Sequence, residues 1–230
     1  MKRWYKQASA ASVEGGFGVT LDGKALNTPA RTPIAVPTEN LARAIAEEWR
    51  AQGETIDMHA MRLTRLAATA LDRIAPDPGA AIQEIAGYAA TDLLCHRADA
   101  PADLRQRQDA VWQPVLDWAA RRYGVALQVV ESMMPAKQPP AALAALRSAV
   151  AALDHFTLAG LHGATTASGS LLLGLALAEG QIDFDRLWAT ADLDEAWQRE
   201  KWGDDPLAAK RRAGIEADLR AAARFLALLR

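Results

Sequence analysis

The sequence predicts an α+β protein: a small β-rich amino-terminal unit over residues 1–60 and a larger multihelical unit over residues 61–230. Three observations predict it. Asp22-Gly23 stands between Phe17-Gly18-Val19-Thr20-Leu21 and Lys24-Ala25-Leu26, a strong short-range hairpin signal. From about Met61 onward, apolar residues recur every three or four positions, the period of a helix face. No fixed-period repeat runs through that helical part, which argues against a solenoid.

Taken in order, the elements follow from local chemistry. Gly15-Gly16 marks a second turn, joining the hairpin to a strand expected around Trp4–Ser9. Thr32-Pro33-Ile34-Ala35-Val36-Pro37 reads as a short strand whose prolines suit an edge position. Thr38 to Gln52 reads as a helix with Leu41, Ile45 and Trp49 on one stripe, stopped by Gly53. Leu63, Leu66, Ala67, Ala70 and Ile74 form the next stripe, ended before Pro76, and Ile82, Ile85, Ala89 and Leu93 the one after. Pro101 to Tyr123 is a longer helical region in which Pro114 is expected to kink or restart the helix. A short strand is expected at Val125–Val130 and a loop at Met133–Pro140. Helices are then expected at Ala141–Leu153, Asp154–Leu161, Ser170–Ala178, Asp183–Lys201 and Pro206–Leu229, the last with Ile215, Leu219, Ala222, Leu226 and Leu229 on one face.

Composition narrows the function. Half of the 230 residues are hydrophobic, enough for a sizeable core. The net charge of −2 lacks the basic footprint of a nucleic-acid binder. Lys210, Arg211, Arg212, Arg220 and Arg224 are interleaved with Glu216 and Asp218 and read as a solvated helix face. Cys95 is the single cysteine, which excludes an internal disulfide and fits a reducing compartment. The start of the chain has charge without a following apolar stretch, so no secretory signal is expected. The longest apolar run, Leu171 to Ala178, falls far short of the ~20 residues a membrane span needs, so no membrane insertion is expected. These features point to a bacterial cytoplasmic protein.

Catalytic signatures are scarce. His59, His96, His155 and His162 show no metal-ligand spacing. Cys95 and His96 are neighbours and would point about 100° apart on a helix. Gly15-Gly16-Phe17-Gly18 lies between strands, away from any helix amino terminus. Gly163 to Ser170 precedes a helix but lacks the lysine of a phosphate loop, and capping by Ser168 or Ser170 explains it more simply. No metal, cofactor or nucleotide is expected. Among the seven tryptophans, Trp49, Trp112, Trp118 and Trp188 fall on core stripes, while Trp197 and Trp202 are the two with a route to the surface.

The most informative stretch is Asp192 to Pro206. Phe184, Leu187, Trp188 and Ala191 open an apolar stripe, and the same count continues onto Glu195, Gln198 and Trp202. An acid on a core stripe costs several kcal/mol or so unless it is paired. Glu195 is therefore either matched internally or placed where the helix leaves the core. Asp192, Asp194, Glu195, Asp204 and Asp205 could hold a cation in principle, but their order is not that of a calcium loop, and Asp204-Asp205-Pro206 reads as a capped helix start.

Five stretches in chain order carry a resemblance. They are Leu21-Asp22-Gly23-Lys24-Ala25-Leu26 with Thr28-Pro29; Leu63-Thr64 with Leu66-Ala67, Ala70 and Asp72; Tyr88-Ala89 with Thr91-Asp92-Leu93-Leu94-Cys95; Gln108 with Trp112, Pro114, Leu116 and Trp118; and Leu193-Asp194-Glu195-Ala196-Trp197-Gln198 with Trp202-Gly203. Together they resemble the assembly chaperones of F-type ATP synthase that bind the free α subunit of F1. The resemblance implies a chaperone rather than an enzyme, with a small amino-terminal domain before a helical one. Its client would be the unassembled α subunit, covered where it later meets the β subunit. It implies that Glu195 matters for function; Gln198 and Trp202, on the same stripe, and Asp92 are expected as further partner-binding residues. His96 stands where the family often has a tyrosine. The alternatives are an enzyme of unknown chemistry using the acids around Glu195, and a helical scaffold with another client.

Overall fold

The computed structural model describes residues 1–131 and 136–230. It is an α+β fold: a four-stranded antiparallel sheet comes first and helices follow. Strand β1 (Ala8–Val13) pairs with β2 (Gly16–Leu21) from Ala8 opposite Leu21 to Val13 opposite Gly16. Along the other edge of β2 lie β3 (Lys24–Ala25) and β4 (Ala35–Val36), one at each end. The β2–β3 turn has positive φ at both Asp22 (50°) and Gly23 (79°), the geometry that the Asp-Gly pair supplies at low cost. Gly16 is required on other grounds. Its φ is 149°, and a Cβ there would lie 2.4 Å from the Val36 carbonyl oxygen.

The strand expected at Trp4–Ser9 begins instead at Ala8. The Asp22 carboxylate accepts the N–H groups of Lys6 and Gln7, which removes them from any ladder. Residues 1–3 pair elsewhere: the Arg3 N–H donates to Glu54 O and the Ile56 N–H to Met1 O.

Helix α1 (Glu39–Arg50) is capped by Thr38, whose Oγ1 accepts the Leu41 N–H at 3.2 Å. Its buried residues Leu41, Ile45 and Trp49 face β1 and β2, where Val19 and Leu21 share the buried side of the sheet. Helix α2 (Arg62–Thr69) has no cap of its own at Met61. Glu48 of α1 supplies one, accepting the Leu63 N–H at 2.7 Å, the Thr64 N–H at 2.8 Å and the Thr64 hydroxyl at 2.7 Å. The helix runs on into a π turn, Ala70–Ile74. Thr38 also donates to Leu228 O near the chain's end, and one buried cluster extends from Tyr5 to Leu226.

Helix α3 (Pro78–Gly87) stops before Leu93, short of the expected stripe, and gives way to 3-10 turns at Tyr88–Thr91 and Leu93–Cys95. Helix α4 (Ala102–Tyr123) is continuous, with Pro114 inside it and no restart. The strand expected at Val125–Val130 reduces to one bridge, Val130 to His96. The reason is Gln138, buried, whose amide oxygen and nitrogen take the Gln128 N–H and C=O at 2.8 and 2.9 Å. Of the loop expected at Met133–Pro140, residues 133–135 lie outside the described residues.

Helices α5 (Pro140–Ala151), α6 (His155–Ser168) and α7 (Leu171–Ala178) follow. Helix α6 runs well past Leu161, so the glycine-rich segment is mostly helical. Gly160 and Gly163 face α10 there, where a Cβ on Gly160 would come within 2.7 Å of Leu226 Cγ. The single helix expected over Asp183–Lys201 is two, α8 (Phe184–Ala191) and α9 (Leu193–Trp202), separated by Asp192 at φ −90°, ψ 5°. Helix α10 (Pro206–Leu228) closes the fold, with Leu219, Ala222 and Leu226 buried against α6. No helix of the described residues is long and apolar enough to cross a membrane.

Candidate functional site at the α9–α10 turn

A buried acid and a half-buried one anchor α9. Asp192 accepts Nε and the terminal nitrogen of Arg212, both at 2.7 Å, and Arg199 stands 3.5 Å away. The Arg212 guanidinium also lies 4.7 Å over the Trp188 ring. Asp194 accepts the Gln108 amide at 2.8 Å. Burial drives its pKa above the ordinary carboxylate range and the neighbouring Glu195 charge adds to that, while the Gln108 bond pulls it back. Gln108 is itself buried and accepts the Ala98 N–H at 2.8 Å through its other end. Trp197, also buried, donates to Asp103 at 3.1 Å. That bond, with Lys201 3.1 Å from the same carboxylate, holds the Asp103 pKa low. Helix α9 is thereby fixed to α4 and α10 by polar contacts.

On this base the expected residues come together. Glu195, Gln198 and Trp202 line one shallow groove of about 130 Å³, with Arg199, Asp205 and Arg212. The Glu195 side chain is 46% exposed and lies 3.1 Å from Arg211. Glu195 thus sits where the helix leaves the core, and the fully matched buried acid is Asp192. Gln198 is exposed. Trp202 is 74% exposed and meets buried Trp197 edge-on, ring centres 5.4 Å apart at 87°. Gly203 (φ 83°) turns the chain, and Asp205 caps α10 by accepting the Leu207 and Ala208 N–H groups at 3.3 and 3.2 Å. Leu207 is exposed beside them.

Asp92 does not join this surface. It is fully buried, and its carboxylate accepts the Ser170 hydroxyl at 2.7 Å and the N–H groups of Leu172 and Leu94 at 3.1 Å each. The partner contact expected there finds no accessible surface: Asp92 reaches no solvent and joins the turn after α3 to the start of α7. It also answers the anion reading of the Gly163–Ser170 segment, because the protein's own carboxylate occupies that helix amino terminus. Burial raises the Asp92 pKa, with its three donors opposing the shift. Cys95 is buried nearby, and burial, then the Asp92 charge, pushes its thiol up to about 12. A thiol so held is protonated at neutral pH and is a poor nucleophile.

The structure also reveals a layer that spacing alone did not show. Arg97 is buried, pairs with Asp109 at 2.8 Å and lies 5.1 Å from the centre of the Trp112 ring, whose N–H donates to Thr190 O at 3.0 Å. Gln108 and Trp112, in the fourth of the five stretches, are thus the supports under α8 and α9.

A family model described as ATP12 chaperone protein matches residues 2–120. The chain belongs to that family. It is similar over its whole length to a solved structure titled as Atp12 from Paracoccus denitrificans, with 42% identity, 98% of that chain covered and a TM-score of 0.92. It is equally similar, at 42% identity and a TM-score of 0.93, to a protein of Agrobacterium tumefaciens titled a putative chaperone, covering 86% of that chain. The mitochondrial protein atp12 of Schizosaccharomyces pombe is 21% identical over 88% of this chain and 74% of its own length. The ATP12 family is one of F1-ATPase assembly chaperones, which agrees with the resemblance of the five stretches. The family model ends before α5, whereas both bacterial structures extend through α9 and α10.

Proposed function

We propose that the protein is an assembly chaperone for the free α subunit of F-type ATP synthase, acting in the bacterial cytoplasm, and that it holds this client at the α9–α10 turn. The observation that carries the reading is Trp202. A large aromatic ring stands three-quarters in solvent, braced edge-on by buried Trp197, in one groove with Glu195 and Gln198. Exposed, rigidly held tryptophan is the residue type that dominates binding energy at protein interfaces. The groove mixes apolar and polar groups, which suits a client that must later be released.

The enzyme alternative has less support. Asp192, Asp194, Glu195 and Asp205 are each occupied by an arginine, an amide or a helix amino terminus. The groove of about 130 Å³ is also well under the ~300–1,000 Å³ of ordinary small-molecule sites. Light scattering of diluted α subunit, with and without the protein, tests the proposal. Aggregation of α subunit should be suppressed, while an unrelated aggregating protein should be protected far less. Equal protection of both would indicate a generic apolar surface and overturn the assignment.

A further inference from the structure

A second concave surface lies where the chain between β3 and β4 meets α2. It is an open cleft of about 600 Å³, floored by Ile34, Trp49 and Ala68. Three features distinguish it from an ordinary crease. First, Trp49 is 95% buried, yet its Nε1–H has no acceptor among the described residues. Buried donors in native proteins are nearly always paired, and an unpaired one gains a full hydrogen bond when an acceptor arrives. Second, Arg65 and Arg73 both line the cleft and are exposed, and neither has a carboxylate partner among the described residues. Third, the acid in the wall is already engaged. Asp72 accepts the Thr28 hydroxyl at 2.6 Å and the Ala30 N–H at 3.0 Å, which fastens the loop to the π turn after α2.

The same two arginines and Thr69 also border a neighbouring groove of about 450 Å³ on the other flank of α2, with Leu66 and Ile215 in its wall. Arg65 and Arg73 therefore form a cationic ridge between this largely apolar cleft and a mixed groove whose wall also carries Arg62, His162 and Asp218. A single small molecule would fill one hollow, whereas an extended segment laid over the ridge reaches both. Unpaired cations beside apolar floors are complementary to acidic side chains interleaved with large apolar ones. Met58, partly exposed at the rim, is the kind of adaptable contact that suits such a segment.

We propose that this cleft docks an acidic, apolar peptide segment of a client polypeptide, with a carbonyl of the segment accepting the Trp49 N–H and its acidic side chains meeting Arg65 and Arg73. The proposal rests on the chaperone reading only for the statement that the segment belongs to a client. The cleft itself is tested with synthetic peptides. A fluorescein-labelled Glu-Leu-Phe-Glu-Leu-Leu-Glu peptide is titrated with the full chain and followed by anisotropy, beside a counterpart with lysine in place of each glutamate.

The acidic peptide should bind saturably and the lysine peptide at least tenfold more weakly. The double variant Arg65→Glu/Arg73→Glu should weaken the acidic peptide at least tenfold with an unchanged melting temperature, because both side chains are exposed. Met58→Asp should also weaken it, whereas Glu195→Lys, in the α9–α10 groove, should leave it unchanged. Equal binding of both peptides, no saturable binding of the acidic one, or binding indifferent to Arg65→Glu/Arg73→Glu would overturn the proposal. Because the readout contains no α subunit, such a failure is separate from any failure at Trp202.

Discussion

Replacing Asp92 by alanine separates an internal role from a partner-facing one. The substitution removes a carboxylate that accepts one hydroxyl at 2.7 Å and two backbone N–H groups at 3.1 Å, all buried. Hydrogen bonds to a charged group contribute ~1.5–3 kcal/mol each, so three amount to about 4–9 kcal/mol. Against this stands the cost of burying a carboxylate with no ion pair of its own, several kcal/mol or so. The difference leaves an expected loss of about 2–4 kcal/mol, since the three donors are also stranded. For a chain of this size a kcal/mol corresponds to roughly 2–4 °C in Tm, so thermal melts should fall by about 4–16 °C.

The pH dependence supplies a sign. Because burial raises the native pKa of Asp92, the folded state holds that proton more tightly than the unfolded chain. The stability this contributes is full below the ordinary aspartate pKa of about 3.9 and is lost as pH rises through the raised native pKa. Asp92→Asn cannot ionise and should remove that part of the slope when urea midpoints are compared from about pH 4 to about pH 7. If Asp92→Ala melted within ~1 kcal/mol of the parent yet lost client protection, the residue would be a partner contact and the internal reading would be refuted.

Three further substitutions test the packing that positions the site. Glu48→Ala should cost about 2–3 kcal/mol in urea denaturation, because α2 loses the side-chain cap that Glu48 supplies and the buried Thr64 hydroxyl loses its acceptor. A change below ~0.5 kcal/mol would show that α2 needs no cap from α1. Gly160→Ala should destabilise by about 1–2 kcal/mol, since the new Cβ would lie 2.6 and 2.7 Å from Leu226 Cδ2 and Cγ. Gly214→Ala in α10 meets nothing within 4 Å and should stabilise by up to about 1 kcal/mol. If Gly160→Ala left Tm unchanged or raised it, the α6–α10 contact would be looser than these distances require.

Local chemistry accounts for what the sequence revealed. Asp22-Gly23 forms the expected hairpin because few residues adopt two successive positive φ values cheaply. Leu41, Ile45 and Trp49 are buried as their spacing requires, and Glu195, Gln198 and Trp202 share one groove as theirs does. Several misplacements come from side-chain bonds between residues ten or more positions apart. Asp22 takes the N–H groups of Lys6 and Gln7, so β1 starts late. Gln138 takes both backbone groups of Gln128, so no strand forms before Val130. Asp92 pairs with Ser170 and Leu172, nearly 80 residues away, and periodicity has no reach over that distance. The acidic run around residue 192 announced a paired carboxylate, but only the fold shows that Arg212 selects Asp192 and leaves Glu195 at the surface.

The exposed face of α9 is proposed to contact the α subunit without the fold depending on it. The direct test is light scattering of diluted α subunit in the presence of Glu195→Lys and Trp202→Ala, with a thermal melt of each variant. The Glu195–Arg211 pair is solvent-exposed and worth at most ~1 kcal/mol, and Trp202 is mostly outside the core, so both variants should melt within a few degrees of the parent. Both should lose most of their protection of α subunit. Full protection by both variants, or protection that declines only in step with Tm, would contradict the account.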